Sequence, residues 1–295
     1  MLDLSIVIVN YNAKEFLKKC LISIVKNAKH VSYEIIVIDN KSSDGSTAMI
    51  KEEFPQVKLT ANKDNVGFSK ANNQGVGNSK ESRYILFLNP DTIVHEGVFG
   101  KMVNFMDIHK DAGAATCKLV MSNGKIDDAS HRGFPTPWNS LCHFSGLSKI
   151  FPRSRIFAGY NLGWENFEKV HEIDALAGAF MLVRRSAGEQ AKWWDEDYFF
   201  YGEDIDFCYM LKQKGWKIYY VPTVAITHYK GVSGGIKSVS KEITTASEET
   251  KKRATKWRFN AMRIFYRKHY KQKNSWIVNI LVNIGISIRE KIAGI

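Results

Sequence analysis

Cysteine is scarce in this sequence, and its arrangement argues against two classes of small protein. The cysteines, Cys20, Cys117, Cys142 and Cys208, are scattered over 295 residues without a C-x-x-C pair. This spacing argues against a zinc ribbon and against a disulfide framework. It favours a reducing compartment, where structural disulfides are rare.

Other familiar sequence signals are also missing. The chain has neither G-x-G-x-x-G nor G-x-x-x-x-G-K-[ST], which argues against a Rossmann dinucleotide site and a P-loop. The amino terminus, MLDLSIVIVNYN, lacks a basic region before its apolar run, so we expect no signal peptide. The apolar run at 276–288 is too short to predict a membrane-spanning helix.

Positive charge is the strong bias in an otherwise ordinary globular composition. The chain is 44% hydrophobic and 24% charged, enough apolar content for one large domain or two small ones. Its formal net charge is +12, and residues 251–273 contain ten Lys and Arg residues with no acid. Most of the excess therefore lies in one carboxyl-terminal segment.

The first half of the chain alternates short apolar runs with helical patterns. Buried strands are predicted over residues 4–9, 33–38, 57–60 and 84–88. Helices are predicted over residues 14–26, after the turn at 40–46, and over 70–77. This alternation predicts an α/β fold with a mostly parallel, Rossmann-like central sheet flanked by helices.

An acidic side chain follows the last of these strands. Residues 84–92, YILFLNPDT, end at Asn89-Pro90-Asp91, where proline cannot continue the ladder. Ligands of open α/β sheets lie at the carboxyl ends of strands, so Asp91 is a candidate ligand of a divalent cation and its phosphates. The alternative is a strand-to-helix turn in which Asp91 is only a cap.

Polar side chains follow two other strands. Tyr11 can stack on a base, and Asp39 can accept a hydrogen bond from a base imide or a ribose hydroxyl. Because these strand ends share one edge, Asn10, Tyr11, Asp39 and Asp91 should line one crevice. The alternative for Tyr11 is an aromatic side chain packed at the rim.

Two pairs of strands are predicted in the second half. Residues 112–121 and 125–129 flank Asn123-Gly124, which is typical of a hairpin. A further strand pattern over 216–227 is broken by Pro222 and followed by His228. A lone histidine after a strand is more often structural than a ligand, although imidazole is a common metal ligand.

The second half also carries an irregular stretch and an acidic cluster. Residues 130–169 are rich in aromatic and basic side chains, which is typical of a functional loop over an acceptor or of a surface insertion. Residues 193–207, WWDEDYFFYGEDIDF, interleave acids with aromatics, and partial burial would raise a carboxyl pKa towards that of a useful base. Acids in a first helical turn also complement the helix dipole.

Four motifs in order give the chain a family resemblance. VIVNYN (7–12), VIDNKSSDGS (37–46), NVGFSKANNQG (65–75) and FLNPDT (87–92) resemble the inverting nucleotide-sugar glycosyltransferases of family 2, which have the GT-A fold. Within that family the chain is most similar to the rhamnosyltransferase-type enzymes of bacterial polysaccharide assembly. Each motif is weak alone, but their order and spacing are specific, and the resemblance covers about residues 4–233.

The resemblance implies a metal site and a donor-base contact. Asp39 would contact the base of the donor nucleotide, and Asp91 would be the metal-binding acid of a D-x-D-like motif. The first acid of that motif is Asn89 here, which leaves this loop one anionic ligand fewer. His228, in a segment similar to the family's H-x-x-G-x-S, would complete the site for Mg or Mn and compensate for Asn89.

The resemblance also implies a base and a set of donor contacts. Residues 202–204 match the family's ED motif, so Asp204 would be the catalytic base, with Glu203 as the fallback because adjacent carboxylates titrate as a coupled pair. Lys230 and Ser233 are candidate phosphate contacts. The expected nucleotide-sugar-binding residues are Val9, Asn10, Tyr11, Asp39, Asn40, Gly67, Asn72, Asn89, Gly178, Lys230 and Ser233.

The carboxyl-terminal segment predicts a helical extension, residues 236–295, to a GT-A domain of residues 1–235. A basic helix over 242–271 and an amphipathic helix over 276–288 fit an interfacial anchor on an anionic cytoplasmic leaflet. The alternatives are a homo-oligomer contact and a helix packed back on the domain. No nucleic-acid motif accompanies the charge, so we expect no nucleic acid as a partner.

Together these observations predict a metal-dependent inverting glycosyltransferase, cytoplasmic and peripheral on the inner face of the cell membrane. The expected donor is dTDP-L-rhamnose, with a UDP-sugar second, and the expected acceptor is a lipid-linked saccharide of bacterial cell-surface polysaccharide synthesis. The rival of another class is a catalytically silent sugar-nucleotide-binding scaffold, against which the intact Asp39, Asp91, Asp204 and His228 argue.

Overall fold

The computed structural model describes residues 1–232, 234–236 and 244–295. The strands are β1 (Leu2–Asn10), β2 (Tyr33–Asp39), β3 (Lys58–Ala61), β4 (Ser82–Leu88), β5 (Thr92–Val94), β6 (Ala112–Met121), β7 (His171–Ile173), β8 (Phe180–Arg184) and β9 (Lys217–His228). The helices are α1 (Lys14–Asn27), α2 (Ser46–Glu53), α3 (Phe68–Gly77), α4 (Val98–Ile108), α5 (Pro137–Ser145), α6 (Leu147–Ile150), α7 (Arg185–Ala191), α8 (Glu203–Gln213), α9 (Glu248–His269) and α10 (Trp276–Ile292).

These strands form one sheet in the order β3-β2-β1-β4-β8-β6-β9-β5, and β7 pairs with β9 beside this path. The run β3-β2-β1-β4 is parallel, as the alternating pattern predicts. Beyond β4 the sheet is mixed, because β8 is antiparallel to both β4 and β6 while β6 and β9 are parallel.

The hydrophobic core lies on both faces of the sheet. Along β1, Ile6 and Ile8 belong to one cluster of buried side chains, and Val7 and Val9 to the other. This alternation is the two-residue period of a strand covered on both sides. Helices α1, α2 and α4 cover the first face, and α3, α7 and α8 cover the second.

Pro222 lies inside one continuous strand, so the predicted break at this residue is wrong. β9 runs from Lys217 to His228, and its pairing with β6 shifts register between Cys117 opposite Val221 and Lys118 opposite Ala225. Such an irregularity leaves residues without ladder bonds, and proline has no N–H to donate. The strand thereby carries His228 to the point where β5 begins.

The predicted hairpin after β6 also differs in the structure. Beyond one isolated bridge between Val120 and Ile126, residues 125–129 do not form a strand. The chain instead makes a 3₁₀ turn at Asp128–Ser130, capped by the Asp127 side chain, which accepts a hydrogen bond from Ala129 N at 2.9 Å. This turn buries the carboxylate of Asp127, which the prediction placed on a strand of the hairpin.

Helix α9 packs against α8 rather than standing apart from it. Apolar contacts join Tyr209 on α8 to Ile264 and Phe265 on α9. Buried Asp206 at the start of α8 accepts from His269 Nε2 at 2.6 Å and from Lys268 Nζ at 2.8 Å. The division of the chain near residue 235 stays a prediction, but α9 is part of the packed body.

Candidate active site

A cavity of about 350 Å³ lies at the carboxyl ends of β1 and β4, where the strand order reverses. This is the edge of an open α/β sheet at which ligands bind. Most predicted site residues line it: Val9, Tyr11, Asn40, Gly67, Asn89, Asp91, Gly178, Glu203, Asp204, His228 and Lys230. Asn10, Asp39 and Asn72 do not line it. Ser233 falls outside the described residues.

Asn10 and Asp39 are buried and bound to each other. The parallel register of β1 and β2 places them side by side, and Asn10 Nδ2 donates to Asp39 Oδ2 at 2.8 Å. The other carboxylate oxygen of Asp39 accepts from the backbone N–H of Ser42, also at 2.8 Å. Asp39 thus holds the turn after β2, and its contact with a donor base stays a prediction. Asn72 is likewise occupied locally, donating to Phe68 O at 3.0 Å.

Strand pairing brings the two predicted metal ligands together. β5 runs antiparallel to β9 with Thr92 opposite His228, which places Asp91 beside the imidazole. The distance from His228 Nε2 to Asp91 Oδ1 is 3.4 Å, and both side chains are buried. The pairing of the short strand β5 with β9 therefore brings Asp91 and His228 together, although they lie 137 positions apart in the sequence. The motif pair predicts this proximity.

Asp127 is a functional candidate that the sequence did not reveal. It is fully buried and faces His228 from the side opposite Asp91, with His228 Nδ1 at 3.0 Å from Asp127 Oδ2. Lys230 Nζ donates to the other carboxylate oxygen. A hairpin pattern gave no signal for this position, since the contact depends on the 3₁₀ turn that follows β6.

His228, Asp91 and Asp127 shift one another's pKa values in the direction that favours their charged forms. Burial lowers the pKa of His228, but the carboxylates of Asp91 and Asp127 outweigh it and raise that pKa to about 9. Burial raises the pKa of Asp127, yet the hydrogen bond from His228 and the charge of Lys230 hold it below its ordinary value. The pKa of Asp91 is lowered in the same way, since His228 outweighs burial. These charges stabilise one another out of water.

The side chains of His228 and Asp91 are arranged so that a divalent cation could bind between them. His228 Nε2 is buried without a hydrogen-bond partner among the described residues and lies close to Asp91 Oδ1. A separation of 3.4 Å is compatible with two adjacent ligands of one ion, since metal–ligand distances are about 2.0–2.2 Å. No group of three or more His, Cys, Asp or Glu side chains within the described ranges could hold a metal. The remaining ligands would be water or donor phosphates.

The predicted acid pair begins α8 on another wall of the cavity. Gly202, with a φ of 83°, turns the chain into the helix. Asp204 Oδ2 accepts from Arg132 Nη2 at 2.7 Å, and the two side chains are largely buried. Glu203 is buried beside it, and burial together with the Asp204 charge raises the pKa of Glu203 to about 8. The two acids therefore have different environments.

Arg132 is a second residue whose position the sequence did not reveal. It lies in the irregular stretch after the 3₁₀ turn, and its Nη2 also donates to Leu176 O at 3.2 Å. Burial alone would lower the pKa of Arg132. The charge of Asp204 outweighs burial and holds that pKa above its ordinary value. The guanidinium therefore fixes one Asp204 oxygen inside the cavity.

Helix α9 supplies part of the cavity wall. Trp257 stacks on Phe199, with ring centroids 4.3 Å apart and planes 29° apart, and both rings line the cavity. Thr250, Arg253 and Ala254 of the same helix also line it. An aromatic wall of this kind suits the apolar face of a sugar or a base.

Sequence comparison places these features among known proteins. The family model described as "Glycosyltransferase like family 2" matches residues 3–260. Rhamnosyltransferase WbbL of Escherichia coli (strain K12) is 30% identical over 237 residues, covering 76% of this chain and 82% of that protein. The N-acetylglucosaminyl-diphospho-decaprenol L-rhamnosyltransferase of Mycobacterium tuberculosis (strain CDC 1551 / Oshkosh) is 27% identical over 243 residues, covering 79% of this chain and 78% of that protein.

Structural comparison agrees on the fold. GalNAc-T7, solved with UDP, GalNAc and Mn²⁺, superposes with a TM-score of 0.57 at 17% identity over 77% of this chain. Staphylococcus aureus TarS 1-349, solved with UDP, superposes with a TM-score of 0.53 at 14% identity over 88% of this chain. The matches span 44% and 65% of those chains, less than two-thirds of either. The fold is that of the GT-A glycosyltransferases, as the motifs predict.

Proposed function

This chain belongs to glycosyltransferase family 2 and is a glycosyltransferase, and on that basis we propose that it transfers a sugar with inversion from a nucleotide-sugar to a lipid-linked saccharide. One observation carries the proposal. A single cavity at the sheet's ligand-binding edge is lined by Tyr11, by the pair Asp91 and His228, and by the pair Glu203 and Asp204. The donor nucleotide, its phosphates and the acceptor hydroxyl could therefore bind in the same cavity.

Asp91 and His228 are the residues that would hold a Mg²⁺ or Mn²⁺ ion. His228 would release its Nε2 proton on binding the ion, because its pKa without metal is about 9 and a ligating imidazole is neutral. Bound there, the cation would neutralise charge on the leaving nucleoside diphosphate. Asp127 keeps the imidazole oriented by occupying Nδ1, so that Nε2 faces Asp91. Lys230, whose ammonium group is bound to Asp127, lines the cavity beside them and would contact phosphate.

Asp204 is the proposed base. It would accept the proton of an acceptor hydroxyl as that oxygen attacks the anomeric carbon and the nucleotide leaves from the opposite side. A single displacement of this kind inverts the anomeric configuration. Arg132 fixes one carboxylate oxygen of Asp204 at 2.7 Å. Glu203 remains the alternative, but its pKa near 8 leaves it mostly protonated at neutral pH.

The proposed donor is dTDP-L-rhamnose. This choice is supported by the two relatives compared over most of their length, whose names describe rhamnosyltransferases. A UDP-sugar is the second candidate. The name of the mycobacterial relative includes a diphospho-decaprenol group, which supports a lipid-linked saccharide as the acceptor here. An enzyme that reaches such an acceptor would be peripheral on the cytoplasmic face of the membrane.

A thermal-shift panel tests the donor site first. The panel would contain dTDP, UDP, GDP and ADP, each with and without Mn²⁺, because a ligand of the folded state raises the melting temperature by mass action. We expect dTDP to raise the melting temperature when Mn²⁺ is present. We also expect the protein to transfer rhamnose from dTDP-rhamnose with inversion of the anomeric configuration. A shift with UDP alone would change the donor and keep the mechanism. No shift with any nucleotide would argue against a donor site at Asp39 and Asp91. A shift without transfer would favour the silent scaffold.

A further inference from the structure

Helix α10 turns its apolar face away from the protein. None of its residues is buried, and it is joined to α9 by Tyr266, which donates to Asn279 at 2.6 Å, and by an ion pair between Arg263 and Glu290. At 3.6 residues per turn, its exposed apolar side chains fall within an arc of about 160°. They are Trp276, Ile277, Ile280, Leu281, Ile284, Ile288 and Ile292, each between 48% and 71% exposed.

The insertion that carries α5 and α6 holds a second exposed apolar group. It is an ordered surface, since Trp138 Nε1 donates to Ile156 O at 2.9 Å and the Phe151 ring packs 5.2 Å from that of Phe157. Its exposed members are Trp138, Leu141, Phe144, Ile150, Phe151 and Ile156, each between 41% and 67% exposed. Burying such side chains is normally favourable, so a surface of this kind marks an interaction site.

These two groups adjoin. The Arg289 guanidinium, in the last turn of α10, lies 4.8 Å from the ring centroid of Phe144 on α5. We call the exposed apolar residues of the two elements the α5–α10 surface. Most of the large apolar side chains exposed in the described part of the chain belong to it.

The charges around this surface are positive. Residues 129–164 contain no Asp or Glu, and Lys149, Arg153 and Arg155 are exposed among the apolar side chains of the insertion. Helix α10 adds Arg289 and Lys291, while its one acid, Glu290, is paired with Arg263. Apolar side chains rimmed by Trp, Lys and Arg suit the headgroup region of a bilayer with anionic lipid.

We propose that the α5–α6 insertion and α10 bind together to the surface of an anionic lipid bilayer. The exposed apolar arc of α10 is typical of interfacial attachment. In the described ranges no helix is long and apolar enough to cross a membrane. A second copy of the chain is the weaker occupant, because a two-fold contact would place these like charges against each other. The proposal deepens the membrane attachment given above by assigning the insertion to it.

The insertion also connects this surface to the cavity. It begins just after Arg132, which is bound to Asp204, and Gly133 N donates to Tyr160 O at 3.0 Å to close its base. The segment that carries half of the α5–α10 surface therefore starts next to the ion pair that holds the proposed base. Resting on the proposed function, this arrangement would let an acceptor keep its lipid in the membrane while its sugar reaches Asp204.

Co-sedimentation of the full chain with vesicles tests the proposal. The vesicles are phosphatidylcholine with or without phosphatidylglycerol. One double variant changes α10 (Ile280→Glu, Ile284→Glu) and one changes the insertion (Leu141→Glu, Ile150→Glu). The control is Ile22→Glu with Ile108→Glu, which adds the same charge at exposed apolar positions on α1 and α4. Thermal shift with dTDP and Mn²⁺, without vesicles, checks the fold and the donor site separately.

We expect the unchanged protein and the control to bind phosphatidylglycerol vesicles. Each test variant should bind at least about tenfold more weakly, because charged groups replace apolar ones at the interface. Loss in the α10 variant alone would overturn the shared surface. Absence of binding by the unchanged protein, or a dimer that the variants dissociate, would overturn the lipid assignment. Neither result would bear on the proposed donor site, which the nucleotide shift reports separately.

Discussion

His228 lies between two carboxylates that belong to distant parts of the chain, and its contact with Asp127 spans 101 residues at 3.0 Å. The contact fixes which imidazole nitrogen faces Asp91. Because outer partners of metal-ligating histidines set both orientation and basicity, Asp127 is as much a part of the proposed site as its ligands.

Replacing Asp127 should therefore weaken nucleotide binding only when metal is present. We expect Asp127→Asn to reduce Mn²⁺-dependent affinity for dTDP by about 10–100-fold, the usual cost of losing such a partner. Calorimetry with Mn²⁺ and with chelator measures the effect. The matched control is Asp128→Asn, an exposed neighbour. Equal affinity for both variants would show that Asp127 has a purely structural role.

Asp91 should have the larger effect on the same measurement. Asp91→Ala removes the only carboxylate that faces His228 Nε2 among the described residues, so metal-dependent binding of dTDP should be lost. Exposed Asp64→Ala serves as the control. If calorimetry gives unchanged affinity with and without metal, Asp91 is not a metal ligand.

Asp204 should affect turnover without affecting donor binding. An amide cannot accept the proton, so Asp204→Asn should lower kcat by about 10²–10⁴-fold, the usual contribution of a general base. Donor affinity should stay within about twofold of the original, since no donor contact is assigned to Asp204. Single-turnover transfer and calorimetry separate the two quantities. Near-normal turnover in this variant, with loss in Glu203→Gln, would transfer the role to Glu203.

Glu203 should make the fold less stable as pH rises. Burial and Asp204 raise its pKa to about 8 from an ordinary 4.5, so between these values the unfolded chain releases a proton that the folded chain keeps. The free energy of unfolding then falls across that window. Glu203→Gln removes this dependence, and its stability advantage should grow by about 1 kcal/mol or more from pH 5 to pH 8.

Urea unfolding at several pH values tests the stability prediction. Glu189→Gln, an exposed position on α7, controls for the general effect of losing a carboxylate. An advantage of Glu203→Gln that does not change between pH 5 and pH 8 would mean that Glu203 keeps an ordinary pKa in the folded chain.

The parts of the fold that local patterns control were predictable. β1, β2 and β4 follow from unbroken apolar runs, and Asp91 and Asp204 from motifs tied to the ends of a strand and the start of a helix. The pairing partners were not predictable in the same way. Pro222 signalled a break, but a bulge on a buried strand accommodates a residue without an N–H.

The missed residues share a physical cause. Asp127 lies in a segment whose pattern predicts a strand, and Arg132 lies in the irregular stretch. Each acquires its role from long-range charge partners, His228 and Lys230 for Asp127 and Asp204 for Arg132. No local propensity encodes such pairs, because the energy that places them comes from tertiary burial. The cavity wall from α9 was missed for the same reason, since Trp257 faces Phe199 only after the helix has docked.

That wall has a consequence for how the molecule is made. The last strand ends at His228, but Trp257 belongs to α9, and the anchor of that helix on Asp206 is complete only when His269 has emerged. Because α9 packs against α8 in one body, and a domain folds as a unit, the enclosed cavity can form only after synthesis has passed His269. The order of synthesis therefore delays the complete site until α9 has docked.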